Sequence, residues 1–358
     1  MKICQHYSMI SFHRKKVAFQ KQVFKAYLYV FLILGFMLFC MNCSNKEQQV
    51  NKQADTLDNP EQFVETEILL ETATANIFGT LNSSKLDEEV PLVIIIPGSG
   101  PTDRNGNNTS GLYTNTYKMI SDTLAKHRIA SLRYDKRGIA KSYYTGFSEE
   151  DLRFDDYVHD AVFWIRKMQQ DGWFSGIFVL GHSEGSLIGM LAVQEEPVAG
   201  FISVAGTAQS ADALLREQLM GQPMSIVNEA ETIIATLKEG NKVSNVSQSL
   251  YPIFRPSVQP YLISWFKYDP VAEISRHTIP VLVIHGTTDL QIKSSEAKLL
   301  ADANAKAELV IIENMNHILK DAGDDDQVNL ATYSNPTLPL NAVFCKKLIE
   351  FLQGAKDN

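Results

Sequence analysis

Residues 181 to 185 read Gly-His-Ser-Glu-Gly, which is the pattern G-x-S-x-G. The stretch follows an apolar run at 177–180 and precedes a second apolar segment at 187–193. This order predicts a strand, a sharp turn and a helix, with the hydroxyl of Ser183 exposed on the turn and a helix N-terminus behind it. The pattern alone is short enough to arise by chance, but its context makes Ser183 a candidate covalent nucleophile.

Apolar runs of strand length recur along the rest of the chain. They lie at 92–96, 129–134, 177–180, 201–205, 281–284 and 309–312. Because they do not alternate with polar residues, we expect strands that are buried on both faces. Helix-like segments separate most of these runs, and a hairpin precedes them at 64–70 and 75–81. The sequence therefore predicts an α/β fold, with a mostly parallel sheet covered by helices on both faces.

One connection interrupts this alternation. Residues 207–279 contain no strand of the core type, but they include two helix-like segments and a piece rich in proline and aromatic residues. We interpret this segment as a helical cap inserted over the sheet. Long insertions at the catalytic end of a sheet are usually functional, although this one could serve only to cover apolar surface.

The chain also offers an acid and a base for the serine. A serine hydroxyl needs a base within hydrogen-bond reach, and the base needs an acid that orients it. Asp289 follows the run at 281–284, and His317 follows the run at 309–312. Since parallel strands end at one edge of a sheet, we expect both side chains to lie near Ser183. Taken singly, Asp289 could be a turn residue and His317 a surface histidine.

Stabilisation of an oxyanion requires backbone N–H donors. We expect one donor to be Glu184, directly after the nucleophile. The other is expected to be Ser99, in the glycine-rich loop at 97–107. The alternative for this loop is an ordinary turn. A phosphate-binding loop is not expected because the ending G-K-[ST] is absent from its sequence.

Composition narrows the classes of ligand. The formal net charge is −8, and residues 1–43 contain basic but no acidic residues, so the remainder is more acidic still. This balance argues against a nucleic-acid partner. After the predicted export signal at residues 1–43, which holds Cys40 and Cys43, the sequence contains neither C-x-x-C nor H-E-x-x-H. We therefore expect no metal site, and no cofactor is implied.

The N-terminal residues differ from the rest. Residues 1–43 combine basic residues with an uncharged, mostly apolar run at 26–41, shorter than the ~20 residues that span a bilayer. We expect an export signal of the lipoprotein type with Cys43 as the lipidated residue, then a flexible linker at 44–62 and the folded domain at 63–358. The protein would then be exported and membrane-tethered, in the periplasm or at the cell surface. A plain membrane anchor, or a cytoplasmic enzyme with a misassigned start, remains an alternative.

Several motifs resemble those of bacterial α/β-hydrolase esterases with a serine aminopeptidase-like domain. They read I-I-P-G-S-G-P-T-D-R-N-G-N, R-Y-D-K-R-G, G-H-S-E-G-S, R-P-S-V-Q-P-Y and H-G-T-T-D. The resemblance covers residues 63–353 and implies a triad of Ser183, Asp289 and His317, with Ser99 at the first-loop position. The chain departs from many relatives in having Pro97 where they have histidine.

The resemblance implies hydrolysis of small carboxylic esters through an acyl-enzyme on Ser183. A serine aminopeptidase or a thioesterase would use the same three residues, and a non-catalytic surface binding protein is a further alternative. Residues 103–104 and 135–138 also match the family, and we expect them to form a structural charge network beside the site rather than to bind substrate.

Overall fold

The computed structural model describes residues 63–84, 89–171 and 173–354. The predicted export signal, the lipidation at Cys43 and the linker at 44–62 lie outside the described residues. Within the described part, no helix is both long enough and apolar enough to cross a membrane.

A single sheet of eight strands runs through the described part of the chain, in the order β1-β2-β4-β3-β5-β6-β7-β8. β2 pairs in antiparallel fashion with β1 and β4, and all other pairs are parallel. The mostly parallel sheet confirms the predicted fold class. The strands are β1 (Phe63–Glu71), β2 (Asn76–Ser84), β3 (Val90–Ile96), β4 (Ala130–Tyr134), β5 (Phe174–His182), β6 (Gly200–Val204), β7 (Val281–Gly286) and β8 (Ala307–Ile312).

The central strands are apolar because both of their faces are covered. Every residue of β3, β4, β6 and β7 is buried. The prediction of two buried faces is wrong for β8, where Leu309 and Ile311 are 37% and 39% exposed. β8 is the last strand of the sheet and pairs only with β7, so the core ends along it.

Helices cover the two faces. One apolar cluster on the first face includes Trp164 and Ile188, and a second on the opposite face includes Ile120 and Phe344. The helices outside the connection between β6 and β7 are α1 (Thr116–Lys126), α2 (Phe154–Asp171), α3 (Glu184–Glu195), α9 (Ser294–Asp302), α10 (Asp326–Ala331) and α11 (Ala342–Gly354).

The connection between β6 and β7 is helical in the part of the chain described. It contains α4 (Ala211–Leu219), α5 (Met224–Lys238), α6 (Tyr251–Phe254), α7 (Gln259–Trp265) and α8 (Pro270–Ile274). Its aromatic residues attach it to α2, since the Trp265 ring stacks on Phe154 with centroids 5.7 Å apart. The Phe154 N–H also donates to Ser264 Oγ at 2.7 Å. The insertion is thereby packed against a helix that covers the sheet.

Candidate active site

Ser183 occupies a strained turn between β5 and α3. Its backbone has φ 55° and ψ −122°, values that a residue with a side chain seldom adopts. Such strain costs about 1–3 kcal/mol and persists only where the surroundings enforce it. Here the Ser183 N–H donates to Val204 O at 2.9 Å, and Ser183 O accepts from Ser186 N–H at 2.9 Å. The turn has the geometry of a nucleophile elbow.

The two glycines of the motif are required by close backbone contacts. A Cβ at Gly181 would lie 2.1 Å from Gly185 O, and one at Gly185 would lie 2.4 Å from Ile96 O. Both neighbours are backbone atoms that cannot rotate away. The spacing of the motif therefore follows from how tightly the strand, the helix and the loop after β3 meet.

Asp289 and His317 form a buried hydrogen-bonded pair. His317 Nδ1 lies 2.7 Å from Asp289 Oδ2, and Asp289 Oδ1 accepts from the N–H groups of Gln291 and Ile292 at 2.7 and 3.0 Å. Burial would raise the pKa of the Asp289 carboxyl, but the neighbouring imidazoles and their hydrogen bonds outweigh it and hold that pKa well below its ordinary range. An ionised Asp289 keeps a proton on Nδ1 of His317 and leaves Nε2 free to accept one.

A second histidine supports the same carboxylate. His285 Nε2 lies 3.3 Å from Asp289 Oδ2 and 3.0 Å from Ile292 O. Burial would lower the pKa of His285, but the hydrogen bond to Asp289 raises it overall. His285 was not among the site residues expected from the sequence. The signal that could have done so is its place at the end of β7, four residues before Asp289.

A chain of hydrogen bonds links the loop after β3 to His317. The Gly98 N–H donates to Tyr117 Oη at 3.0 Å, Tyr117 Oη lies 2.9 Å from His182 Nδ1, and His182 Nε2 lies 2.8 Å from His317 O. Burial is the main cause that lowers the pKa of His182 to about 3, so its ring is neutral. Because its one proton must lie on Nε2, facing the carbonyl, the Tyr117 hydroxyl donates to Nδ1. This chain was not foreseen from the sequence.

The elbow and the Asp289–His317 pair are neighbours. The rings of His182 and His317 lie 4.9 Å apart, and His182 directly precedes Ser183. Among the described residues no hydrogen bond joins the Ser183 hydroxyl to His317. Such contacts are often long without substrate and tighten when it binds.

The two expected oxyanion donors lie beside the elbow. A Cβ at Gly98 would lie 3.1 Å from Ser183 Cβ, so the loop that carries Ser99 lies close to Ser183. Within the described part of the chain, the N–H groups of Ser99 and Glu184 donate to no protein acceptor, whereas the Gly98 N–H is occupied by Tyr117. The assignment of Ser99 and Glu184 as oxyanion donors stays a prediction.

A buried ion pair contacts both segments that carry these expected donors. Lys136 Nζ donates to Glu184 Oε2 at 2.9 Å and to Gly98 O at 2.7 Å. The Tyr261 hydroxyl donates to Glu184 Oε1 at 2.6 Å, and the Lys136 ammonium lies 4.7 Å from the centre of the Tyr157 ring. The side chains of Lys136 and Glu184 are only 2% and 3% exposed. The sequence indicated charge pairing at 135–138 but not its contact with this loop.

A pocket opens beside the ion pair, and Lys136 and Glu184 belong to its lining. Its lining also includes Leu152 and Tyr157, and the helical insertion contributes Val258 and Tyr261. The other charged pair in its lining is Glu149 with Arg255. Among the described residues, no group of three His, Cys, Asp or Glu side chains could hold a metal ion.

Comparison with known proteins agrees with this architecture. The family described as serine aminopeptidase, S33, matches residues 110–258, which include the elbow. Est1E from Butyrivibrio proteoclasticus with ferulic acid bound superposes with a TM-score of 0.56 at 17% identity, covering 81% of this chain and 100% of that one. The chain has the α/β-hydrolase fold. The α/β-hydrolase GrgF from Penicillium sp. sh18 gives a TM-score of 0.53, also at 17% identity, covering 82% of this chain and 100% of GrgF.

A curated relative extends the similarity at the level of sequence. Esterase EstD of Thermotoga maritima is 23% identical over 287 residues, which are 79% of this chain and 65% of the relative. The chain therefore spans slightly less than two thirds of that protein. Together with the S33 match, this similarity confirms the predicted resemblance to α/β-hydrolase esterases with a serine aminopeptidase-like domain.

Proposed function

We propose that this protein hydrolyses carboxylic esters through an acyl-enzyme on Ser183. The observation that carries the proposal is the buried Asp289–His317 pair, joined at 2.7 Å and lying next to a strained serine elbow. The relative from Thermotoga maritima is named an esterase, and the Butyrivibrio structure holds ferulic acid. The first name favours esters as the substrate class, and a carboxylic acid such as ferulic acid is the kind of product that ester hydrolysis releases.

In the proposed reaction Ser183 Oγ attacks the ester carbonyl carbon while its proton passes to His317 Nε2. Asp289 stabilises the resulting imidazolium through Nδ1. The carbonyl oxygen, now negative, accepts hydrogen bonds from the Ser99 and Glu184 N–H groups. Collapse of the intermediate expels the alcohol, which takes the proton from His317. Water then attacks the acyl-enzyme by the same route and releases the acid.

We take the pocket beside Glu184, the residue after Ser183, as the substrate pocket, and its charges favour an ester over a peptide with a free amino terminus. An aminopeptidase needs an acceptor for the substrate ammonium, but Glu149 already binds Arg255 and Glu184 already binds Lys136. The apolar and aromatic part of the lining suits an uncharged acyl or alcohol group. A thioester could react at the same three residues and is treated as an outcome of the test.

The test compares p-nitrophenyl acetate, butyrate and octanoate with an aminoacyl p-nitroanilide and an acyl thioester, using the full chain. We expect ester turnover with a preference set by chain length, and a loss of about 10⁶-fold in kcat for Ser183→Ala. Ser110→Ala is the matched control, since Ser110 is an exposed serine. Ester turnover that survives in Ser183→Ala, or a higher kcat/KM for the anilide or the thioester, would reject the proposal.

We propose separately that residues 1–43 direct export and that lipid on Cys43 tethers the protein to the membrane. The support is the sequence alone: basic residues, an apolar run, and a cysteine at its end. Mass spectrometry of the mature N-terminus after expression in a bacterium tests this. An unmodified chain that begins elsewhere would contradict it.

A further inference from the structure

Lys136 contacts both halves of the expected oxyanion site with one ammonium group. It binds Gly98 O, in the loop after β3, and Glu184 Oε2, on the first residue of α3. We propose that Lys136 is a positioning residue that holds the Ser99 and Glu184 N–H groups in the arrangement that stabilises the oxyanion. This inference rests on the proposed serine hydrolase mechanism and extends it.

The first part of the argument concerns the peptide between Gly98 and Ser99. This unit is planar and trans, so the direction of the Gly98 carbonyl fixes the opposite direction of the Ser99 N–H. Lys136 holds that carbonyl at 2.7 Å, and Tyr117 accepts from the Gly98 N–H at 3.0 Å. Because the N–H and the carbonyl of Gly98 are both hydrogen-bonded, the Ser99 N–H has a defined direction. The glycines of this loop would otherwise allow many backbone conformations.

The second part concerns the charge of Glu184. Its carboxylate lies on the residue whose own N–H is an expected donor, and it is buried together with Lys136. A second negative charge beside a developing oxyanion would oppose the reaction, and the low dielectric of a buried site would strengthen that repulsion. Lys136 neutralises the carboxylate, while the Tyr261 hydroxyl binds its other oxygen at 2.6 Å.

The test is the variant Lys136→Met, which keeps the long apolar stem and removes the charge. We expect kcat for the best ester to fall by roughly 10- to 100-fold, because small displacements of catalytic groups have effects of that size. KM should change by less than about 3-fold, since the donors act on the transition state and not on bound substrate.

Arg137→Met is the matched control. Arg137 forms a neighbouring buried ion pair with Asp160 at 2.7 Å, and its hydrogen bonds lie away from Gly98 and Glu184. Loss of either buried pair should lower the melting temperature, but only loss of Lys136 should lower kcat. Equal kcat values for the two variants would overturn the proposal.

The double variant Lys136→Met/Glu184→Gln covers the case in which the single variant does not fold, because it leaves no uncompensated buried charge. We expect the double variant to be more stable than Lys136→Met, with kcat at least about 10-fold below that of the wild type, since the Gly98 carbonyl still lacks its hydrogen bond from Lys136. A double variant with wild-type kcat would show that the ion pair acts only on stability.

Labelling by an alkyl fluorophosphonate separates this proposal from the proposed substrate class. The reagent needs only an activated Ser183 and an oxyanion site. If the wild type is labelled but hydrolyses no ester, the ester proposal fails, and the labelling rates still decide the role of Lys136. Slower labelling of Lys136→Met than of Arg137→Met supports it, and equal rates reject it.

Discussion

The Tyr117 hydroxyl links the loop after β3 to His182, the residue before Ser183. It accepts from the Gly98 N–H and donates to His182 Nδ1, and all three groups are buried. Tyr117→Phe would remove one oxygen and leave two polar groups without partners. Each orphaned buried group costs about 1–3 kcal/mol, so the free energy of unfolding should fall by about 2–6 kcal/mol. Release of Gly98 should also lower kcat.

Tyr134→Phe provides the matched comparison. Tyr134 is as deeply buried as Tyr117, and its hydroxyl makes no hydrogen bond within the described residues. Guanidinium unfolding, followed by circular dichroism, measures both variants against wild type. We expect Tyr134→Phe to change the free energy of unfolding by less than about 1 kcal/mol. If Tyr117→Phe costs no more than Tyr134→Phe, the hydrogen-bond chain does not hold the loop and the reasoning fails.

Three further predictions concern other parts of the site. Asp289→Asn should lower kcat by about 10⁴-fold in ester assays, because an amide would favour the wrong tautomer of His317, and kcat near wild type would remove Asp289 from the mechanism. The pKa of His182 is lowered to about 3, so the unfolded chain binds a proton at this residue before the folded protein does. The contribution of neutral His182 to stability is therefore present above pH ~6.5 and is lost by about 1.4 kcal/mol per pH unit as the pH falls toward 3. His182→Gln should flatten the dependence of the unfolding free energy on pH between pH 6 and 4, and an unchanged slope would contradict this. Gly185→Ala would place a Cβ 2.4 Å from Ile96 O, at the end of β3, and should lower the free energy of unfolding by about 1–3 kcal/mol or more with loss of turnover. Gly323→Ala, with open space around it, should change that free energy by no more than about 0.5 kcal/mol in the same unfolding titration.

The strands of the sheet could be predicted from the sequence because strands that are buried on both faces must be continuously apolar. The predicted runs at 92–96 and 201–205 correspond to β3 and β6, and the G-x-S-x-G pattern marks a turn that only glycines allow at both flanks. The chain order of Asp289 and His317, each placed after a strand, was sufficient to expect their meeting at one edge of the sheet. The exposure of β8 could not be predicted from its residues, because a strand at the edge of a sheet can be as apolar as a central one.

The supporting contacts were not predictable by the same means. Lys136 and Glu184 lie 48 positions apart, and Tyr117 and His182 lie 65 apart. Neither pair belongs to a periodic pattern, and the identity of each side chain is compatible with a surface position. They meet because α1, the start of α3 and the residues that follow β3 and β4 pack together beside the end of β5.

The helical insertion begins and ends on neighbouring strands. β6 and β7 pair directly, with Phe201 opposite Val281, so the sheet passes from one to the other without a gap. The length and fold of the connecting segment are therefore free to vary without altering the register of the strands. That segment contributes Val258 and Tyr261 to the pocket, whereas Ser183 and His317 follow β5 and β8. Exchange of the segment, provided that the Tyr261 contact to Glu184 is kept, would change the pocket lining and leave the Ser183, Asp289 and His317 positions as they are.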